Sequence, residues 1–391
     1  IITTAKSRFT RTRVGKTLVV TTAAAAVAVG SVTGAQAFAD PAEAVPEQGG
    51  QTAGSVYANR VIVPTSLIAG AARGQEYTYW SPGSDERLHL STATLLEPKG
   101  KTPSAGWPVL VWAHASNGWN QSCAPSKTRN GADDAAVTRL LKQGYAVISP
   151  DYAAVGMPGA PQYSDVSATA HNIVDAVRAG SDVGESDLSP KWAVVGEGQG
   201  ASAAVELARN GASWQSGRLD FRGATATSIP AGYDDLVTNL SPSSQPVPKG
   251  VVADVLYTLA AQEPDDVKSI LSTRGTALVE QARTLCSAAL AKEIGGTQLA
   301  DLVSRPLSSN AKLAAALRKS LAIPSRGFSR PVLMSQRLMD PTVVVPTSLE
   351  YVTQAQFASN KVTMKTYLTG DDAAARKQER SAVDAYLEDL F

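Results

Sequence analysis

A strand, a glycine-rich turn and a helix follow one another without interruption between residues 191 and 209, and this unit constrains the fold more than any other part of the chain. Lys191–Val195 is an apolar run after a Ser-Pro turn, which is typical of a buried parallel strand. Ala201–Arg209 is rich in alanine and is predicted to be helical. The turn between them reads Gly196-Glu197-Gly198-Gln199-Gly200. Such a unit predicts a parallel sheet covered by helices.

The turn has the layout of a nucleophile elbow, G-x-S-x-G, but Gly198 stands where the serine should be. In an elbow the serine hydroxyl is raised towards a histidine, and backbone N–H groups at the helix start stabilise an oxyanion. Gly198 has no hydroxyl, and glycine adopts the elbow's unusual backbone without strain. The sequence therefore predicts an elbow without a nucleophile. The alternative is a glycine-rich turn that matches the motif by chance.

Strand and helix patterns alternate along most of the chain, which predicts an α/β fold with a mostly parallel, doubly wound sheet. An antiparallel hairpin is expected first, and helical patterns over residues 231–329 interrupt the alternation as a cap. The predicted strands are 76–80, 88–96, 108–113, 145–149, 191–195, 224–229, 331–335 and 362–367, and the predicted helices are 132–143, 167–178, 201–209, 349–358 and 373–390.

The first residues have the features of a signal peptide. Five basic residues and no acid precede the apolar segment Thr17–Val32, which is short and weakly hydrophobic for a membrane span. Cleavage is expected after Ala35-Gln36-Ala37, so residues 1–37 are the predicted leader, with Ala37-Phe38-Ala39 as a second choice. Residues 38–60 begin with a Pro-, Gly- and Gln-rich stretch and are assigned to a flexible tether, and residues 61–391 to the hydrolase-like domain. The protein is expected to be secreted or held in the cell envelope.

Charge and cysteine content restrict the partners and the compartment. Loss of the five basic leader residues changes the formal net charge from +1 to −4, so nucleic acid is not expected as a partner. The chain has two cysteines, Cys123 and Cys286, and an oxidising compartment favours their pairing over two buried thiols. One intramolecular connectivity is possible, and it closes a long loop.

Several further motifs carry a resemblance to a known family. Trp112-Ala113-His114 is followed by Cys123-Ala124-Pro125-Ser126, and Gly144-Tyr145-Ala146-Val147 leads to Asp151-Tyr152 and Gly156. Asp340-Pro341 leads to Val345-Pro346 after the elbow. With these motifs the chain resembles the secretory lipase family, the lipase A-like branch of the α/β-hydrolases in fungi and actinobacteria, over nearly all of the mature chain.

The resemblance implies an α/β-hydrolase fold that hydrolyses acylglycerols or other carboxylic esters with a Ser, Asp, His triad under a helical cap. It places the acid at Asp340, the nucleophile at Gly198 and the histidine at Asp372. Two of the three positions are therefore degenerate. Glu197 stands where the family commonly has histidine. The family's usual disulfide between the oxyanion loop and the cap corresponds to Cys123 and Cys286.

The oxyanion and elbow region is expected at His114, Ala115 and Gln199, with His114 in a structural role. The chain has only two other histidines, His89 and His171, and both are expected to face solvent. All three histidines precede the elbow, so none is available in the family's order. Ser202 lies one helical turn beyond the elbow and is expected to be an ordinary helix serine rather than a nucleophile.

The replacements bring several carboxylates towards one place. Asp340 and Asp372 should lie close together if the fold is kept, with Glu197 nearby. Like charges in one cleft would raise a carboxyl pKa, bind a cation such as Ca²⁺ or recruit a basic group. Solvated loop aspartates are the ordinary alternative, and we expect no cofactor.

The sequence favours a secreted protein of α/β-hydrolase fold without conventional lipase activity, which keeps a pocket for a lipid or acyl ester, or for an envelope protein partner. The alternative is an active triacylglycerol lipase or carboxylesterase with a non-standard site. A purely structural envelope protein is a third possibility. Bound lipid, ester turnover or neither would distinguish the three.

Overall fold

The computed structural model describes residues 51–118, 120–128, 131–152, 165–184, 187–215, 217–369 and 371–391. The predicted leader, the tether up to residue 50, and the motif residue Gly156 lie outside the described residues. None of the helices in the described ranges is both long and apolar enough to cross a membrane.

Nine strands of the described chain form one sheet, in the order β1-β2-β3-β5-β4-β6-β7-β8-β9. The pairs β1–β2, β2–β3 and β3–β5 are antiparallel and the remaining pairs are parallel, as the predicted hairpin and βαβ pattern require. The strands are β1 Val56–Val61, β2 Ala71–Pro82, β3 Leu88–Pro98, β4 Trp107–Ala113, β5 Ala146–Pro150, β6 Leu188–Glu197, β7 Asp220–Thr227, β8 Val332–Arg337 and β9 Val362–Tyr367.

Most predicted strands differ from the observed ones by a few residues at their ends, and two differences have a clear physical reason. Residues 56–60 were assigned to the tether, but they belong to β1 and pair antiparallel with β2, because Val56 and Tyr57 follow the Gly-rich stretch with strand-forming side chains. Strand β7 ends at Thr227 rather than at Ile229. It ends there because Ser228 has a φ of 52°, which is incompatible with an extended strand.

Helices cover both faces of the sheet. They are α1 Gly131–Lys142, α2 Val166–Val183, α3 Gln199–Trp214, α10 Val345–Ala358 and α11 Asp372–Glu388. Alternate residues of β4 pack against the two layers. Val109 and Val111 pack in one core with α2, α3 and α10, whereas Leu110 and Trp112 pack in a second core with α1 and α11. Both faces of a central parallel strand are thus buried, which explains its continuous apolar sequence.

The segment between β7 and β8 is helical, as its sequence pattern predicts, and has its own core around Val252, Leu256, Leu278 and Leu317. Its helices are α4 Tyr233–Thr238, α5 Lys249–Ala260, α6 Pro264–Lys268, α7 Thr273–Ala282, α8 Ser287–Ile294 and α9 Ala311–Leu321. A disulfide joins Cys123 to Cys286, at the start of α8, with an S–S distance of 2.11 Å. The predicted disulfide is therefore confirmed, and it ties this helical segment to the loop after β4.

Candidate active site at the carboxyl ends of the strands

Gly198 forms a sharp turn between β6 and α3. Its φ is 57° and its ψ is −119°, a backbone conformation that residues other than glycine rarely adopt. The N–H of Gly198 donates to the carbonyl oxygen of Thr227 at the end of β7 with an N–O distance of 3.2 Å. The predicted strand–turn–helix unit is present, with Gly198 at the point where strand becomes helix.

The glycines on either side of Gly198 are required by packing. A Cβ atom at Gly196 would lie 2.4 Å from the carbonyl oxygen of Gly200, and one at Gly200 would lie 1.9 Å from the carbonyl oxygen of Ala113. A Cβ at Gly198 would lie 3.0 Å from the Cβ of Ala115, which is tight but not prohibitive. The elbow therefore leaves nearly enough room for a side chain at position 198 and none at positions 196 and 200.

A cavity of about 360 Å³ lies over Gly198. Its walls are mostly apolar and come from both the strand ends and the helical segment. Glu197, Gly198 and Ala115 contribute from the sheet side, and Ala253, Ala291 and Leu321 from the helices. Gln199 also lines the cavity, and it occupies the first position of α3, where backbone N–H groups have no acceptor within the helix. The cavity thus has the size of a small ligand pocket next to a set of helix N–H donors.

Asp340 lies in the turn after β8 and is buried. Its Oδ2 accepts hydrogen bonds from Ser228 Oγ and from Arg337 Nη2, both at 2.7 Å. Its Oδ1 accepts from the backbone N–H of Thr342 at 2.9 Å and from Thr342 Oγ1 at 2.6 Å. Both oxygens are therefore occupied by neighbours from the protein itself.

Arg337, at the end of β8, is only 1% exposed and binds three carboxylates. Besides Asp340 it pairs with Asp372, through Nε at 2.8 Å, and with Glu379. Burial acts to lower the pKa of Arg337, but the attraction of Glu379 and Asp340 outweighs it, and the pKa is raised. Burial raises the pKa of Glu379 by more than Arg337 lowers it. Arg337 is thus held as a cation in the place where the sequence suggested carboxylates facing one another.

Asp372, at the position the resemblance gives to histidine, begins α11 and lies between two arginines. Burial alone would raise the pKa of Asp372, but its bonds to Arg337 and Arg376 together lower it. Arg376 Nη2 lies 3.2 Å from Asp372, and Arg376 Nη1 lies 3.0 Å from Glu197 Oε1. The side chain of Glu197 is therefore linked to Asp372 through Arg376.

The carboxylates predicted to gather here do so, and basic groups of the same chain lie between them. Among the described residues, no group of three or more His, Cys, Asp or Glu side chains is arranged to hold a metal ion. Sequence reasoning missed both arginines. Their spacing gave a usable signal, because Arg337 lies three residues before Asp340 and Arg376 lies four residues after Asp372 on a predicted helix.

His114 is buried and held by local contacts, as predicted. Its Nδ1 lies 2.7 Å from the carbonyl oxygen of Ala115 and its Nε2 lies 3.0 Å from that of Pro150. Its ring also stacks on Tyr152 with the ring centres 4.5 Å apart. These contacts fix the start of the loop that carries Ala115.

The other two histidines lie elsewhere. His89 is partly exposed and pairs with Asp85 at 2.8 Å. His171 was predicted to face solvent, and this is wrong: it is half-buried and stacks on Trp214 at 3.9 Å, because α2 packs along α3. Burial lowers the pKa of His171. None of the three histidines of the chain lines the cavity.

The Cys-Ala-Pro-Ser motif anchors the loop after β4. Asp151 is fully buried at the end of β5 and accepts from the backbone N–H of Ser126 at 2.9 Å and from the hydroxyls of Ser126 and Thr92. Burial raises the pKa of Asp151, and these bonds oppose it. Two residues that carry the family resemblance, Ser126 and Asp151, therefore hold the loop on the cavity side in place.

The sequence matches the family described as Secretory lipase over residues 122–320, which is just over half of the chain. The chain belongs to the secretory lipase family. The match covers Cys123 and Cys286, the elbow and most of the helical segment of this family member. A search of curated protein sequences finds no match.

Solved structures are similar to the whole fold of this secretory lipase family member. One is Candida antarctica lipase A in its closed state, with 17% identity, a TM-score of 0.64, and coverage of 82% of this chain and 78% of that chain. Another is the rice cell wall degrading esterase LipA from Xanthomonas oryzae, with 20% identity, a TM-score of 0.67, and coverage of 87% and 98%. The predicted α/β-hydrolase fold is confirmed.

Proposed function

We propose that this secretory lipase family member is a secreted protein that binds an acyl or lipid ligand in the cavity over Gly198 and does not hydrolyse esters with a Ser, Asp, His triad. One observation carries the proposal. The cavity is retained, whereas its floor has no hydroxyl at Gly198 and the acceptors of Asp340 are occupied by Arg337, Ser228 and Thr342.

The size of the expected loss supports the absence of triad turnover. Removal of either the nucleophile or the histidine from a serine hydrolase lowers turnover by about six orders of magnitude. Here both positions are changed, to Gly198 and Asp372, and no histidine of the chain lines the cavity. What remains is binding and backbone N–H donors, which alone give slow reactions.

Several observations favour an acyl or lipid ligand over a strongly polar one. The cavity walls are mostly apolar, which favours an aliphatic chain. The N–H groups at the start of α3 favour a carbonyl or carboxyl oxygen at one end of that chain. The neighbouring structures are those of a lipase and an esterase. The family and the Cys123–Cys286 disulfide support a place outside the cytoplasm, where an envelope protein is a second proposed partner.

The test combines turnover with binding. Purified mature protein is given p-nitrophenyl esters of short to long acyl chains, and binding of the matching fatty acids is followed by calorimetry. We expect no steady-state turnover above the blank and saturable binding of at least one chain length. The variant Ala253→Trp, which fills the cavity, should abolish binding, whereas Ala288→Trp on the exposed side of α8 should not.

Sustained hydrolysis that Ala253→Trp abolishes would show a working esterase and reject the proposal. Absence of both binding and turnover would point to a purely structural protein.

A further inference from the structure

Ser228 has a strained backbone in a buried part of the site. It follows β7, its φ is 52°, and it is 1% exposed. A residue other than glycine in this region carries a cost of order 1–3 kcal/mol and persists only where its surroundings hold it. Such outliers concentrate at functional sites. We therefore looked to the contacts of the Ser228 side chain for what holds this backbone conformation.

The hydroxyl of Ser228 connects the acid position to the buried arginine. Its Oγ donates to Asp340 Oδ2 at 2.7 Å and accepts from Arg337 Nη2 at 3.0 Å. Ser228 also lines the cavity over Gly198. Of the serines that line this cavity in the described structure, Ser228 is the one bonded to a carboxylate.

This arrangement has the parts of an activated nucleophile. A carboxylate in contact with the hydroxyl proton can accept that proton, and a cation on the same oxygen stabilises negative charge as it develops. The end of β7 lies beside the elbow, because Gly198 donates to the carbonyl oxygen of Thr227. A carbonyl group held at the start of α3 therefore lies close to the chain segment that carries Ser228.

We propose that Ser228 is an acyl acceptor: it takes the acyl group of an activated ester bound in the cavity and retains it. The inference rests on the acyl-binding cavity of the proposed function. Ser228 Oγ forms a bond to the ester carbonyl carbon as its proton passes to Asp340. The bond from that carbon to the leaving oxygen then breaks, Asp340 passes the proton to that oxygen, and the leaving group departs as an alcohol or phenol.

The reaction stops at the acyl-serine. Its hydrolysis requires a base that activates water on the cavity side, and no histidine of the chain lines the cavity. Asp340 already accepts from Arg337 and Thr342, and the site around Ser228 excludes bulk water. The expected behaviour is one acyl group transferred per protein molecule, without continued turnover.

Intact-mass spectrometry after incubation with a p-nitrophenyl ester tests the inference. The wild-type protein should gain the mass of one acyl group with release of one equivalent of p-nitrophenol, and peptide mapping should place the group on Ser228. The variant Ser228→Gly should remain unmodified. It keeps the backbone, because glycine suits the φ of 52°. Asp340→Asn should slow the reaction by about 10²-fold or more.

Ser348→Ala is the matched control, because Ser348 is also fully buried and its hydroxyl bonds to the carbonyl of Ile229 without lining the cavity. It should be acylated at the wild-type rate. An unmodified wild-type protein, or an adduct on another residue, overturns the inference. Fatty acid binding to a protein that is not acylated would leave the proposed function standing, whereas sustained turnover through Ser228 would reject the proposed function and the retained acyl group together.

Discussion

At the residue scale, the aspartate at position 372 determines the charges around the site. Asp372 brings a negative charge next to the buried Asp340, and a buried carboxylate near a second like charge is stable only with a compensating cation. Arg337 supplies it, with Asp340 at 2.7 Å and Asp372 at 2.8 Å. Because Arg337 also pairs with Glu379, loss of Arg337 would leave two buried carboxylates, Asp340 and Glu379, without their cation.

The elbow glycines are expected to differ in how much stability the protein loses when each is replaced by alanine. Gly200→Ala should destabilise the protein by about 3 kcal/mol or more, because its Cβ would overlap the carbonyl oxygen of Ala113 at 1.9 Å. Gly198→Ala meets only the Cβ of Ala115, at 3.0 Å, and should cost about 1–2 kcal/mol, mainly backbone strain. Urea unfolding of both variants measures the difference. Equal losses would contradict the assignment of Gly198 as the position with room for a side chain.

Asp175 predicts a dependence of stability on pH away from the cavity. Burial raises the pKa of Asp175 from 3.8 to about 7, against opposing bonds from Ser81 and Arg178. Between these values the folded protein holds a proton that the unfolded chain has released, so this contribution to stability is complete below about pH 4 and is lost as the pH rises through about 7.

The variant Asp175→Asn lacks this titration. Between about pH 4 and pH 7.5, the free energy of unfolding of the wild type relative to the variant should fall by up to about 4 kcal/mol. Denaturant unfolding across this range measures it. Asp182→Asn, on the same helix with a side chain that is 59% exposed, is the control and should give a flat difference. A flat difference for Asp175→Asn as well would contradict the raised pKa.

At the scale of elements, the loop after β4 is held from two sides. Ser126 ties it to Asp151 at the end of β5, and Cys123 ties it to Cys286 at the start of α8. The backbone N–H of Ser287 also donates to the carbonyl oxygen of Asn117 at 3.0 Å. The same loop carries Ala115 at the cavity, so the helical segment and the cavity wall are joined directly.

Loss of the disulfide should therefore weaken the attachment of the helical segment. The bond joins residues 163 positions apart, and in the chain-entropy description a loop of this length stabilises the fold by up to about 5 kcal/mol. Cys123→Ala with Cys286→Ala should lower the free energy of unfolding by about 2–5 kcal/mol and weaken fatty acid binding. Thermal melts and calorimetry test both. The wild type under reducing conditions should match the variant, and an unchanged melting temperature would contradict the prediction.

At the scale of the whole molecule, four segments distant in sequence converge on one charge network. Glu197 comes from β6, Ser228 from the end of β7, Arg337 from β8, and Asp372 and Arg376 from α11. In a parallel sheet the carboxyl ends of all strands meet at one edge, which is why these residues become neighbours. We therefore expect any gain of ester turnover to depend on the network and not on single positions.

The double variant Gly198→Ser with Asp372→His should remain without ester turnover, because Arg337 would still occupy Asp340 and repel a protonated histidine. Addition of Arg337→Met and Glu379→Gln removes that cation together with the buried carboxylate it compensates. Turnover of p-nitrophenyl esters should then rise to about 10²–10⁴-fold above the uncatalysed blank. Circular dichroism confirms folding of each variant. Activity in the double variant alone would show that Arg337 does not block the site.

Much of the fold could be predicted because its signals are local. The alternation of buried strands and amphipathic helices needs only a few neighbouring residues, and β9 at Val362–Tyr367 begins and ends where its pattern predicts. Element ends were less accurate: β7 stops early at Ser228, whose positive φ has no sequence signal in a serine. His171 was misplaced because its burial depends on Trp214, more than forty residues away.

The sequence by itself determined which side chains are present or absent: a glycine at the position that the resemblance gives to the nucleophile, no histidine after the elbow, and two cysteines with one possible pairing. Only the tertiary structure decided what surrounds these residues. It placed Arg337 between Asp340 and Asp372, bonded Ser228 to an acid 112 residues away, and left a cavity over Gly198. The physical reason is that absent side chains can be counted along the chain, whereas charge pairing and cavities arise from packing between distant segments.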